Sequence, residues 1–182
     1  MKSNIVLIGM PGVGKSTLGV VLAKQLGYDF VDTDLVIQHK YGETLQELIE
    51  KRGDEGFIGL ENHELSLLDC RHTVIATGGS AVYGADAMRH LAEIGTIVYL
   101  DAPERELENR LGDLDARGVV RNGKETVREI FEERLYLYMH YAQITIQLTG
   151  KTLRTAVDDT VRLLKTQGLV LPASEEPGTA KA

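Results

Sequence analysis

Residues 9–17 read Gly-Met-Pro-Gly-Val-Gly-Lys-Ser-Thr and satisfy the pattern G-x-x-x-x-G-K-[ST]. They follow the apolar run 5–8 and open the apolar-periodic stretch 15–26, so this loop turns a strand into a helix. Glycines let the backbone curl until successive N–H groups converge, and the helix N-terminus adds the positive end of a dipole, so the turn is suited to phosphate. In that reading Gly12, Val13, Gly14, Lys15, Ser16 and Thr17 form the cradle. Lys15 reaches the terminal phosphates and the Ser16 hydroxyl ligates Mg²⁺. A dinucleotide fingerprint would need a further glycine after Gly12 and Gly14, which this chain lacks. The plain alternative is a glycine-rich turn with an incidental lysine.

The same alternation continues along the chain. Strand-length apolar runs recur at 30–31, 74–76, 96–100 and 144–148. Helical periodicity fills 35–40 (extending toward 51), 55–68, 85–93, 103–111, 125–141 and 152–165. Strand alternating with helix predicts an α/β domain with a parallel sheet covered on both faces. Thr44 and Glu47 form a capping box ahead of 45–51, and Pro103 stands where a first helical turn tolerates it. The domain is expected over 1–171. The Gly-, Asp- and Arg-rich stretch 112–124 reads as a lid, and 172–182 as a disordered tail.

Composition narrows the ligand class. Twenty Lys+Arg against 27 Asp+Glu leave a net charge of −7, which disfavours nucleic acid and anionic membrane surfaces as partners, so an anionic ligand must be held by local positive charge. No apolar run approaches the roughly 18 residues of a membrane span. A single cysteine, Cys70, excludes an internal disulfide framework and fits a reducing, cytoplasmic setting. The five histidines form no H-x-x-x-H pair for zinc. Tyr136, Tyr138, Met139 and Tyr141 read as a core stripe. A GTPase would need a guanine-reading N-K-x-D, absent here, and a motor ATPase a longer chain. Small-molecule phosphotransferases remain, acting as monomers on a small polar substrate.

Beyond the loop, the chain has Asp32-Thr33-Asp34 after Phe30-Val31, then Gly56-Phe57-x-x-x-Glu61, then Thr77-Gly78-Gly79, then Arg117, then Arg134-x-x-Leu137-Tyr138. In order and spacing these residues resemble the shikimate kinase family, over about 5–147. That resemblance implies a three-layer αβα P-loop fold of the nucleoside-monophosphate-kinase type, with a five-stranded parallel sheet. It also implies ATP and Mg²⁺ as co-substrate and metal, and phosphorylation of a shikimate hydroxyl. It assigns Asp32 to Mg²⁺ beside Ser16, Asp34 to the acceptor hydroxyl and its proton, and Glu61, Gly78, Gly79 and Arg134 to the acceptor. Lys15 and Arg117 fall on the phosphates, with Arg117 closing from the lid, and Arg110 on the adenine. The plainer alternatives are a helix cap for Asp34 before Leu35 and a simple turn for the glycine pair.

The chain departs from the family in three places. Ser80 stands where a third glycine is usual, Gly118-Val119-Val120 replace Pro-Leu-Leu, and Ile58 stands where a second carboxylate-binding arginine should follow Phe57. Holding a desolvated carboxylate with one guanidinium instead of two costs roughly 3 to 5 kcal/mol. Two acids facing one arginine would suit a hydroxy amino acid such as homoserine, unless a cation such as Arg52 takes the missing place. A nucleotide-binding protein without catalysis is the remaining alternative.

Overall fold

The computed structural model describes residues 2–111, 118–124 and 126–169, with backbone only at 109–111. The first strand, β1 (Asn4–Ile8), is buried at every position. It lies between β3 (Thr73–Ala76) and β4 (Gly95–Asp101), which are equally apolar, because a central parallel strand meets helices on both faces. β2 (Asp29–Asp32) and β5 (Ile144–Gln147) are the edges, and β5 alternates buried with exposed residues as an edge strand does. The five strands run parallel in the order β2-β3-β1-β4-β5.

Helices α1 (Lys15–Leu26), α2 (Thr33–Tyr41), α3 (Leu45–Ser66), α4 (Ala85–Ile94), α5 (Glu104–Leu111), α6 (Val127–Tyr141) and α7 (Leu153–Thr166) connect and cover the strands. α1 packs on α7, α3 on α4 and α5 on α6. The predicted three-layer arrangement is therefore the observed one. Among the described residues no helix is long and apolar enough to cross a membrane.

One boundary differs from the periodicity reading. The segment running from 35 toward 51 is two helices, because Gly42 (φ 67°) ends α2 in a left-handed cap. The stretch 55–68 is helical as far as Ser66 and is set off from the first part of α3 by non-helical backbone at Gly53 (φ 70°, ψ 171°). Tyr136 and Met139 are 72% and 65% exposed, so the stripe expected to be core is core only at Tyr138. The tail 172–182, residues 112–117 of the stretch read as a lid, and residue 125 lie outside the described residues.

The capping box forms as read, with Thr44 Oγ1 accepting from Glu47 N and Glu47 Oε2 accepting from Thr44 N at 2.7 Å. Thr44→Ala removes the first of these bonds at about 1 kcal/mol. Calorimetry should show Tm lower by about 2–4 °C.

Candidate active site

Ligands of open parallel sheets bind beyond the carboxyl ends of the strands. Here the ends of β1, β2 and β3 surround a cleft of about 430 Å³. The loop 9–14 forms its floor. Gly12 (φ 72°) and Gly14 (φ 106°) take left-handed or extended-positive conformations, and no side chain caps α1. The first N–H groups of that helix, at Lys15, Ser16 and Thr17, are thus left for an anion. Val13 is buried under the loop, its N–H turned to Met10 O at 3.2 Å. Lys15 Nζ donates to Gly9 O (2.7 Å) and Met10 O (2.9 Å), which leaves one ammonium proton for a ligand. Burial is the main reason its pKa drops to about 8.

The two aspartates divide the work that either could have done. Asp32 Oδ1 accepts from Asp34 N (3.0 Å) and Leu35 N (3.4 Å) and so caps α2, while its Oδ2 accepts from Ser16 Oγ at 2.6 Å. The helix cap is therefore Asp32 and not Asp34. Asp34 is released from local bonding and faces the cleft, where burial raises its pKa to about 6 against the lowering pull of Lys15.

Gly78 closes this wall from β3. Its N–H donates to Thr33 Oγ1 (3.2 Å), which ties the end of β3 to the start of α2. A Cβ at Gly78 would run into Glu61 Oε1 and come within 2.8 Å of Asp34 Oδ1, so the two carboxyl groups converge on the bare backbone there. Glu61 is 1% exposed. Its Oε2 lies 2.6 Å from Ser80 Oγ, and its Oε1 has no hydrogen-bond partner among the described residues. Burial first, then the nearby Asp34, push its pKa to about 7.

Arg134, on α6, is fully buried. Nε donates to Tyr83 OH (3.2 Å) and Nη2 to Val120 O (2.5 Å), while Nη1 has no partner among the described residues. Tyr138, one turn further along α6, donates to Gly79 O (2.8 Å) and stacks on Tyr99. Gly79 itself lies against Pro11 of the loop. The cleft is closed above by Val119 and Val120, which belong to the stretch read as a lid. Asp54 Oδ2 holds the next two residues, accepting from Arg121 N (3.2 Å) and Asn122 N (2.6 Å).

Of the residues singled out in the sequence, Lys15, Ser16, Thr17, Asp34, Gly78, Gly79 and Arg134 share this cleft, with Asp32 bonded to Ser16 and Glu61 directly behind Gly78. Arg117 and the side chain of Arg110 lie outside the described residues. Arg52 does not replace the missing arginine, because it lies over the Tyr41 ring at 5.4 Å. Ile58 packs half-buried against the core. Sequence reasoning missed the Ser80–Glu61 bond, since the partners are 19 residues apart and only the fold brings them together. It also missed Asp54, whose partners are lid backbone atoms with no sequence signal.

A family model described as shikimate kinase matches residues 11–165. A shikimate kinase of Alkaliphilus oremlandii is 36% identical over 88% of this chain and 98% of its own, and one of Persephonella marina is 33% identical over 82% and 91%. A solved shikimate kinase of Acinetobacter baumannii, in complex with shikimate, superposes with a TM-score of 0.82 at 32% identity, covering 93% of this chain and 96% of that one. The Aquifex aeolicus enzyme superposes at 0.76 with 29% identity, over 91% and 98%. A phosphate loop, an aspartate beside it and a buried arginine facing the same cleft are thus arranged on a backbone shared almost end to end with these proteins, and the chain belongs to the shikimate kinase family.

Proposed function

We infer that the chain transfers the γ-phosphoryl group of ATP to a hydroxyl of shikimate, giving shikimate 3-phosphate and ADP. The observation that supports this most directly is that a phosphate loop, Asp34 and Arg134, whose buried Nη1 has no partner among the described residues, line one cleft. Phosphoryl transfer has a loose transition state, so placement of the two reactants and neutralisation of charge do most of the catalysis.

The loop N–H groups and the remaining Lys15 proton hold the phosphates. Ser16 Oγ and Asp32 are the residues that would hold Mg²⁺. One hydroxyl and one carboxylate suit an ion that keeps most of its waters and takes its other ligands from phosphate oxygens. When bound, the ion offsets negative charge on the transferring group. Asp34 orients the acceptor hydroxyl and takes its proton, and Arg134 Nη1 receives the acceptor carboxylate. Arg117 is assigned to the phosphates and Arg110 to the adenine, from the family resemblance. The chain is proposed to act in the cytoplasm as a monomer.

Purified protein with ATP and Mg²⁺ should release ADP in the presence of shikimate and remain near background with homoserine or gluconate. Turnover with homoserine alone would replace shikimate by the hydroxy amino acid to which Ile58 pointed. Silence across the panel, with ATP still bound, would indicate a nucleotide-binding protein without transfer.

Ile58→Arg returns the arginine that the family has after Phe57. The KM for shikimate is expected to fall at least about tenfold, since hydrogen bonds to charged groups are worth roughly 1.5–3 kcal/mol. Steady-state kinetics of this variant against the parent would show it, and an unchanged KM would mean that the cleft already compensates in full.

A further inference from the structure

A carboxylate-bearing acceptor in this cleft meets one guanidinium and, close by, the buried carboxyl of Glu61 and the half-buried one of Asp34. Taken as fully ionised, that set is short of positive charge. Arg134 has one guanidinium nitrogen without a partner among the described residues, Nη1, and Lys15 is committed to Gly9 O and Met10 O and to the phosphates. No cation lies within ion-pair distance of Glu61 among the described residues, although the side chain is 1% exposed. An ionised Glu61 would hold an unpartnered, charged Oε1 beside Asp34 Oδ1, the arrangement that buried charge tolerates least. A protonated Glu61 leaves a neutral carbonyl oxygen there, at far smaller cost.

Ser80 converts this protonation into recognition. Its Oγ is 2.6 Å from Glu61 Oε2, and Ser80 itself lines the cleft. A hydroxyl has one proton to give. While Glu61 is ionised, Ser80 spends that proton on Oε2. When Glu61 takes a proton from solvent on Oε2, Glu61 becomes the donor and Ser80 the acceptor, and the serine proton is released to point into the cleft. We propose that Ser80, with its hydroxyl freed by a neutral Glu61, is the second contact of the acceptor carboxylate and does in uncharged form what the arginine replaced by Ile58 would do with charge. This rests on the shikimate reading and adds to it a specificity-determining pair. The raised pKa of Glu61, about 7, places the switch near neutrality.

Acceptor affinity is full where Glu61 is protonated and falls as pH rises through its pKa. The groups facing Glu61 are Asp34 on α2, Lys15 on α1, Arg134 and Tyr138 on α6, and Ser80 after β3. Of these, Asp34 and Lys15 also titrate near neutrality, so the glutamate must be isolated by substitution.

The experiment is calorimetric titration of shikimate into the ADP-saturated protein between about pH 6.5 and about pH 8.5, in buffers of different ionisation enthalpy. For the parent chain the Kd is expected to rise about twentyfold across this range, with close to one proton taken up per shikimate bound near pH 8. Glu61→Gln cannot ionise, and should show less than about threefold change in Kd and no linked proton uptake. Ser80→Ala is expected to weaken binding about tenfold near pH 6.5. Ser80 lies at φ −88° and ψ −9°, which alanine adopts freely, so this variant keeps the fold. A Kd independent of pH in the parent, an undiminished pH slope in Glu61→Gln, or parental affinity in Ser80→Ala would each overturn the pair. Absence of shikimate binding at every pH would overturn the shikimate reading as well, whereas pH-independent binding would overturn this inference alone.

Discussion

Asp34→Asn is expected to lower kcat for shikimate by a hundredfold to ten-thousandfold, the usual span for loss of a positioned proton acceptor. The substitution is clean because Asp32, not Asp34, caps α2. Helix α2 therefore keeps its start, and the Ser16–Asp32 bond at 2.6 Å is untouched. Asparagine retains the shape of the side chain and one oxygen, but it cannot accept the hydroxyl proton. Single-turnover kinetics should show the loss in the transfer step, while titration with ADP should give a Kd within about threefold of the parent, a shift of under 1 kcal/mol. A kcat within fivefold of the parent would remove Asp34 from the chemistry.

Lys15→Met is expected to reduce kcat/KM by about a hundredfold to a thousandfold, the effect of deleting one preorganised donor from a site of developing charge. Two contributions combine. The ammonium that would follow the transferring group is gone, and Gly9 O and Met10 O lose the donor that draws the two sides of the loop together. Methionine fills the same buried channel, so the core around α1 is retained. A variant with unchanged thermal stability and lost transfer would separate the two contributions. Parental kcat/KM would show that the loop amides alone suffice.

The phosphate loop was legible because its chemistry is local: nine contiguous residues specify the curl, the donors and the helix that follows. The sheet was legible for a related reason, since β1, β3 and β4 are buried on both faces and read as unbroken apolar runs. Where two residues could serve one local purpose, sequence offered no decision. Asp32 and Asp34 are both good caps, and what assigns them is Ser16, sixteen residues away from Asp32 and reached only once α1 and β2 lie side by side. Arg52 could be placed near the missing cation by proximity along α3, yet the Tyr41 ring holds it elsewhere. Glu61 was recognisable by its place after Phe57, but its burial without an ion-pair partner among the described residues was not. That burial arises from the packing of α3 against the turn after β3, which no local pattern encodes.

The seam at Arg134 has a consequence for the pace of the reaction. The guanidinium proposed to receive the acceptor carboxylate also grips Val120 O, while Asp54 fastens the two residues beyond it. An acceptor seated under Val119 and Val120 is thus walled in by the same bonds that orient it. Departure of the phosphorylated product requires that wall to peel back, and this unfastening, rather than the transfer itself, should set the turnover ceiling and make it sensitive to solvent viscosity.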